Sequence, residues 1–294
     1  MTQAAAPVDQ ESNRSPWWLR PVFSSPRVGA LMTTRHGGVS TSPFDSLNLR
    51  PGIGDDDRVV AVNRGRLLGA IGAPSVLLQQ VHGTVCLRLT LDESRHPADE
   101  PLPVADASVC TEAGLACEVQ VADCLPVLMA DRHGRGVAAA HAGWRGLAGG
   151  VVQATLASLC RASGAAPADI EVWLGACIGP RCFEVGADVL TAFGEAPASC
   201  FAPQFHDSEA AGAPIARLGL AGAQVARART LSGPKWLADL PALARWTLGR
   251  AGVDAISGND GSPAWCSVEN SDFFSYRRDH GRTGRMAACI WLRT

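Results

Sequence analysis

A single-domain α/β fold with a substantial sheet region is what this amino-acid sequence predicts, and three observations carry the prediction. Strand-like runs succeed one another between residues 75 and 141, segments with apolar residues at helical spacing stand on either side of them, and no Pro/Ser-rich linker or fixed-period repeat interrupts the middle of the chain. With 294 residues the chain can close one large core. Residues 17–294 are therefore read as one domain, behind a polar tail, residues 1–16 (MTQAAAPVDQESNRSP), that is expected to be disordered.

The elements follow in order. VGALMTT (28–34) has the apolar, partly β-branched character of a strand and runs into the turn RHGGVS (35–40), after which SPFDSLNLRPGIGDD forms a loop. From Asp56 to Ile71 the residues Val59, Val60, Leu67, Leu68 and Ile71 recur at helical spacing. Asn63 and Arg64 lie one turn from these on each side, so they border the buried face, either as capping or core hydrogen-bonding groups or as the lining of an interior pocket. Strand signals then come quickly: SVLLQQV (75–81), TVCLRLTL (84–91), ADASVC (105–110), LACEVQV (115–121), LPVLMA (125–130) and RGVAAAH (135–141). Residues 147–163 read as a helix, EVWLGACI (171–178) as a strand and EVGADVLTAFG (184–194) as a second helix. Residues 202–235 are rich in Ala and Gly without clear periodicity, as in a lid or surface excursion. DLPALARWTLGRAGV (239–253) makes a helix with Asp239 at its start and Pro241 in its first turn, and FFSYRRDHGRTGRMAACIWL (273–292) a turn and a closing strand.

Composition excludes several classes of function. A formal charge of −2, with 18 % charged residues, gives no polyanion-binding surface, so nucleic acid is not an expected partner. No signal-peptide pattern and no run of about 18 apolar residues occurs, which predicts a cytoplasmic protein without membrane contact. Ten cysteines in a chain of this length are read as free, mostly core thiols in a reducing compartment. There is no C-x-x-C: Cys110, Cys117 and Cys124 recur at intervals of seven, and Cys177 and Cys182 are five apart, so neither a zinc ribbon nor a thioredoxin-type pair is supported. The cationic residues are almost all arginine, Lys235 being the one lysine, so an arginine argues for anion binding only through its position.

Three short segments concentrate the chemistry. QQVHG, ADCLPV and AAAHAGWRG each place one soft ligand side chain beside a glycine or proline, and together they supply His82, Cys124 and His141. Zinc in a catalytic site takes three protein ligands and keeps a fourth position for water or substrate, whereas a structural site closes all four. A two-histidine, one-cysteine set thus matches an open site, although the spacing alone leaves buried core residues as an equal reading. His82 and His141 both end strand-like runs, so the three residues can converge at one rim of a sheet. Asp123 stands beside Cys124, and Trp144 with Arg145 offers either a stacking face and a charge or ordinary packing.

At this point the sequence resembles a known family. TTRHGGVS, SLNL…GDD…VNR, QQVHG, ADA, VADCLPVLMAD, AAAHAGWRG, GACIGPRCFEVG and FFSYRRD…TGRMA, in that order, look like the bacterial laccase-domain or polyphenol-oxidase family, whose members are described as purine nucleoside phosphorylases and adenosine deaminases. The likeness runs from about Trp17 to the C-terminus. It implies a single catalytic domain folded as an α-β-β-α sandwich with mixed sheets, zinc held at His82, Cys124 and His141, and activity on adenosine, inosine and methylthioadenosine. The chain departs from the family at 202–235, where members usually run more directly from an F-x-P turn to KW. It departs again at VENS (268–271), where an S-D-type turn is common.

That activity makes definite demands on the residues. Deamination needs a nucleophilic water at neutral pH, which bound zinc supplies by lowering the pKa of water toward about 7. The H-x-E and P-C-x-x-C pattern of familiar nucleobase deaminases is missing, so Cys124, His141 and a neighbouring proton carrier such as Asp123 would have to serve. Phosphorolysis needs phosphate held under the ribose C1′; Arg35, Arg64 and Arg145 are candidates for it, with Asn48 as a neutral partner, and each has a structural alternative. Cys177 and Cys182 fit a wall of the site, beside Ile178 and Gly179 backbone. Two other enzyme classes compete. The oxidase of the older family name would use copper, which such donors also bind, but its multicopper form needs H-x-H pairs and the seven histidines include none. A cysteine hydrolase or amidase acting on a cell-wall precursor would use Cys124 as nucleophile and His141 as base, which metal content distinguishes from a zinc enzyme.

Overall fold

Which strands can share a sheet is decided here by alternation of buried faces, and the computed structural model, which describes residues 18–92, 100–204 and 235–294, resolves it. In chain order the elements are β1 (Val28–Met32), α1 (Asp57–Ile71), β2 (Ser75–Val76), β3 (Cys86–Leu89), β4 (Ala107–Cys110), β5 (Ala116–Val121), β6 (Leu125–Asp131), β7 (Val137–Ala142), α2 (Trp144–Gly149) and α3 (Val151–Ser163). They continue with β8 (Ile170–Leu174), β9 (Glu184–Val185), α4 (Ala187–Ala192), β10 (Phe201–Gln204), β11 (Lys235–Ala238), α5 (Leu240–Arg250), β12 (Ala255–Gly258) and β13 (Met286–Leu292).

The described strands make a four-stranded sheet in the order β1-β13-β5-β2, a six-stranded sheet in the order β12-β8-β6-β7-β4-β3, and a small sheet β10-β11-β9. The two larger sheets are mixed: β5 pairs antiparallel with β13 and parallel with β2, while β8 pairs antiparallel with β6 and parallel with β12. Both stack face to face. Cys117, Val119 and Val121 of β5 and Met286, Ala288 and Ile290 of β13 meet Leu128 and Ala130 of β6 and Val137 and Ala139 of β7 between them. The alternate residues point outward. Ala116, Ala287, Cys289 and Trp291 pack under Leu67 and Ile71 of α1, and Val127, Met129, Ala138 and Ala140 pack under Val152, Leu156 and Leu159 of α3 and Leu243 and Leu248 of α5. The layers therefore run α-β-β-α, as the family resemblance implies. With both faces covered, the strands lose the polar alternation of a solvated sheet, and β6 reads LPVLMAD with every residue buried.

Local chemistry fixes the helix ends. Asp56 caps α1 by accepting from Arg58 N at 2.8 Å, and Asp239 caps α5 by accepting from Ala242 N at 2.9 Å, each worth about 1 kcal/mol. The expected helix at 147–163 is two helices, because Gly150 takes φ 98° and breaks the ladder between α2 and α3. The segment 184–194 begins as strand, since Glu184 and Val185 pair with Leu237 and Trp236, and only Ala187–Ala192 is helical. The strand expected over 75–81 is limited to Ser75–Val76, with Gln79 forming an isolated bridge to Val104. That over 171–178 stops at Leu174, where a Cβ at Gly175 would stand 2.6 Å from Pro126 Cγ. Asn63 proves to be a core hydrogen-bonding group: its Nδ2 donates to Ser40 Oγ, Ser46 O and Asn48 O, and its Oδ1 accepts from Val39 N. The tail 1–16 and most of the 202–235 segment lie outside the described residues; its flanks, β10 and β11, pair with each other. No helix among the described residues is long and apolar enough to cross a membrane.

Candidate active site

Three chain reversals meet at one end of the interlayer. His141, next to last in β7, points to the same side as Val137 and Ala139, between the sheets; Cys124 sits in the tight turn from β5 to β6; His82 comes from the loop between β2 and β3. Their ligand atoms all lie within 4.8 Å of one another, with Cys124 Sγ 3.5 Å from His82 Nε2 and the imidazoles edge to face at 4.8 Å. His82 and Asp123 both hold left-handed backbone, φ 60° and 95°, a strain of about 1–3 kcal/mol each that surrounding bonds must sustain. A Cβ built on Gly143 would lie 2.6 Å from His82 Cδ2 and 3.0 Å from Cys124 Sγ, so the small residue keeps open the cradle that the three donors surround.

Asp106 organises this cradle. Its Oδ1 accepts from His82 N at 2.9 Å and lies 2.9 Å from His141 Nδ1, while Oδ2 accepts from Val81 N at 3.1 Å and Gly83 N at 2.7 Å. One fully buried carboxylate thus sets the path of the His82 loop and turns His141 Nε2 toward Cys124. Burial works against ionisation at Asp106, but the hydrogen bonds from His141 and the backbone outweigh it and hold its pKa below the usual value. The same competition polarises the pair. Burial opposes the Cys124 thiolate, yet the charge and hydrogen bond of His141 and those of His82 bring its pKa down to about 6. Burial opposes the His141 imidazolium, yet Cys124 and Asp106 raise its pKa to about 9.

The donors line a cleft of about 590 Å³. Arg50, Arg145, Arg277 and Arg285 line it too, and among the described residues none of these four is ion-paired to a carboxylate. Arg50 Nη1 donates to Leu78 O at 2.8 Å and Gln120 Oε1 at 3.3 Å, and Arg285 Nη1 donates to Thr283 O at 2.8 Å. Burial lowers the pKa of both guanidiniums, Glu118 opposing it at Arg50 and Asp123 and Cys124 at Arg285. Desolvated cations without a carboxylate partner make the cleft a receptor for an anion. Ring faces stand nearby, with Arg285 5.6 Å over Tyr276, Arg277 5.8 Å over Phe183 and Arg145 4.3 Å over Trp144.

The sequence-derived candidates separate sharply. His82, Cys124, His141, Asp123 and Arg145 all reach the cleft. Asp123 spends its carboxylate on the fold, however: Oδ1 accepts from Ser267 Oγ at 2.6 Å and Ser275 Oγ at 2.7 Å, and Oδ2 from Arg277 N at 2.6 Å. Arg35 does not reach the cleft; it pairs with Asp45 at 3.0 Å and stacks 4.9 Å over Phe274. Nor does Arg64, which pairs at 2.9 Å with the fully buried carboxylate of Glu118. Asn48, fully buried, accepts from Arg50 N at 3.1 Å and Arg285 N at 3.0 Å and donates to Asp55 Oδ2, so it sets two cleft arginines without lining the cleft. Of the GACIGPRCFEVG wall, Ile178 and Phe183 line the cleft and Cys177 is core. Sequence reasoning missed Asp106, Arg50, Arg277 and Arg285. The ADA and TGRMA segments that contain Asp106 and Arg285 stand among the motifs, but nothing local marks either side chain as facing the cleft.

Residues 29–293 match a protein family described as multi-copper polyphenol oxidoreductase laccase. The chain belongs to this laccase family. It is 42 % identical over 277 residues to a protein of Pseudomonas aeruginosa named purine nucleoside phosphorylase, covering 94 % of this chain and 98 % of that one. It is 43 % identical over 282 residues to Escherichia coli YfiH, also named purine nucleoside phosphorylase, covering 94 % and 97 %. Among solved structures it is similar to Neisseria meningitidis protein NMB0706, with TM-score 0.76, 41 % identity and coverage of 95 % and 100 %. YlmD of Geobacillus stearothermophilus aligns with TM-score 0.77 and 31 % identity, covering 96 % and 98 %. Family membership thus joins the layered fold in confirming the resemblance read from the motifs.

Proposed function

We propose that this laccase-family protein is a zinc-dependent purine nucleoside phosphorylase acting on adenosine, inosine and methylthioadenosine, with deamination of adenosine as a second reaction of the same cleft. The observation that carries the reading is the pairing of an open His82–Cys124–His141 donor set with arginines that lack carboxylate partners. The name of two relatives, purine nucleoside phosphorylase, agrees with its phosphorolytic part. The donor chemistry fits zinc: one thiolate, two imidazoles, an outer carboxylate on His141, and space kept free by Gly143. Bound there, zinc would lower the pKa of a water or polarise an oxygen in the fourth position.

In phosphorolysis, Arg50 and Arg285 hold the phosphate and Arg145 and Arg277 complete the positive rim. A phosphate oxygen forms a bond to ribose C1′ as the C1′–N9 bond breaks, and the electron pair leaves with the purine, which takes up a proton. The products are ribose 1-phosphate, or its methylthio analogue, and a free base. Phe183 and Tyr276 offer faces against which the base lies. Asn48 and Asp123 act as positioning residues, the first through the Arg50 and Arg285 backbone and the second through Arg277. In deamination, water adds at C6 and ammonia departs. None of the ten cysteines is joined in a disulfide.

One observation favours a second reading. The Cys124 thiol at about 6 beside His141 at about 9 is the charge state of a cysteine nucleophile and its base. A single experiment separates the two: purification without a metal-binding tag, zinc and copper per chain, and adenosine followed with and without phosphate by resolving adenine, inosine and hypoxanthine. Roughly one zinc per chain at the His82–Cys124–His141 site, with phosphate-dependent adenine release or phosphate-independent inosine formation, supports the first reading. Copper with phenol turnover supports an oxidase, and metal-free protein that leaves adenosine untouched supports the hydrolase.

A further inference from the structure

Behind the cleft wall lies a second group of soft donors, formed by two turns far apart in sequence. The turn after Gly179 brings Cys182, and the turn after Trp265 brings Cys266 and Glu269; their sulfur and carboxylate atoms all lie within 4.8 Å of one another. We propose that Cys182, Cys266 and Glu269 form a second metal site for a thiophilic d10 cation, zinc or cuprous copper, separate from His82–Cys124–His141.

Several features of the geometry point to a cation. Cys266 Sγ is buried and accepts from Gly179 N at 3.2 Å, and the Cys182 thiol with the backbone amides of Glu269, Gly179 and Val268 favours its thiolate against burial. Backbone N–H groups directed at one sulfur stabilise a thiolate, the form in which cysteine binds metal, and hydrogen bonds to ligating sulfurs tune such sites. Glu269 is at the exposed rim, so the cluster is open to solvent on one side while its sulfurs are held in the wall. A positive charge already stands there. Arg181 meets the Glu269 carboxylate with two nitrogens, at 3.0 and 3.3 Å, and its guanidinium is close enough to Cys182 and Cys266 to feel their charge. That arginine is half exposed, and exposed ion pairs of this kind contribute little, so a metal can displace it. Two thiolates and one carboxylate select zinc or cuprous copper over magnesium or calcium.

A cation here would clip together the two turns that build the back of the cleft. Ser267, next to Cys266, donates to Asp123 Oδ1 at 2.6 Å, and Cys182 O accepts from Arg277 Nη1 at 3.5 Å. The site stands on its own donors and does not depend on nucleoside turnover.

The test is a metal titration of the reduced, metal-free full chain, with Zn2+ in one series and Cu+ in another, each against a competing chelator. The wild-type chain should take up two equivalents of the matching metal, and Cys124→Ala should keep one of them. Cys182→Ala should lose that second equivalent alone. Glu269→Ala should weaken it by at least the roughly 10-fold that loss of even an outer partner costs. Arg181→Gln should tighten it, because the competing cation is gone. A wild-type chain that takes up one equivalent in both series, with none left in Cys124→Ala, overturns the proposal. So does a second equivalent that binds Glu269→Ala as tightly as wild type.

Discussion

Gly143→Ala is the most direct perturbation of the proposed zinc site, because it adds one methyl group and changes no ligand. The backbone of Gly143 has φ −64° and ψ 160°, an ordinary extended conformation that alanine adopts without strain. The new Cβ would stand 2.6 Å from His82 Cδ2, 3.0 Å from Cys124 Sγ and 3.2 Å from His82 Nε2. Carbon atoms are comfortable at about 3.5–4.0 Å, so the His82 ring must withdraw by roughly 1 Å. In the metal-free protein this is cheap: His82 is exposed and can swing outward, leaving about 1 kcal/mol for the alanine preceding α2. With metal bound His82 must return, and overpacking of about 1–3 kcal/mol then falls on the metal complex. At about 1.4 kcal/mol per factor of ten, zinc affinity should drop roughly 5- to 150-fold. Competition against a chromophoric chelator measures the affinity, and chemical denaturation of metal-free protein measures the stability. Wild-type zinc affinity in Gly143→Ala refutes the assignment of the cradle. A stability loss in the metal-free protein that exceeds the loss of binding energy makes Gly143 a packing residue instead.

Asp106→Asn keeps the shape but weakens the grip on His141, and zinc affinity should fall about 10- to 100-fold, measured by the same competition. Arg285→Met should raise the phosphate KM by roughly 10- to 150-fold, the loss of about 1.5–3 kcal/mol for a charged hydrogen bond, in phosphorolysis kinetics; phosphate-independent inosine formation should change less. Arg64→Met should act chiefly on stability, costing about 3–5 kcal/mol in denaturant titration because it strands the buried Glu118 carboxylate. Burial opposes ionisation of Glu118, but Arg64, Ser75 and Gln120 prevail and hold its folded pKa below the ordinary 4.5. The stability this contributes is present above about pH 4.5 and lost as pH falls through the folded value, so the acid limb of a stability–pH profile should be shallower in Glu118→Gln.

The layers were legible wherever burial leaves an unbroken apolar run or an apolar period. β6 and β7 are buried throughout and appear in the sequence as unbroken apolar runs, and α1 shows its buried face at Val60, Leu67 and Ile71. What periodicity could not show is where an apolar run ends. Gly150 divides a convincing 147–163 helix by a single left-handed residue, and Glu184–Val185 joins a sheet because β11 supplies a distant partner. Short strands such as β9 and β12 are decided by pairing, to which local pattern is blind.

The candidate site was legible to the extent that ligand chemistry is carried by residue type. Histidine and cysteine beside tight turns are few enough to stand out, and His82, Cys124 and His141 do converge. Arginine and carboxylate roles are different, because the same side chain either offers its charge to a ligand or spends it inside the protein. Arg64 and Arg50 are both part-buried beside the four-stranded sheet, and they belong to one connected network: Arg64 bonds Glu118, Glu118 accepts from Gln120 Nε2, and Gln120 Oε1 accepts from Arg50. Arg64 ends at the carboxylate, with its charge matched. Arg50, two links further, ends at the cleft with its charge matched by none. Substitution at Arg64 should therefore disturb phosphate binding only as far as Gln120 shifts Arg50, whereas substitution at Arg50 should remove a direct contact. A phosphate KM in Arg64→Met that rises as steeply as in Arg50→Met would mean that the network, rather than the unmatched guanidinium, sets the affinity.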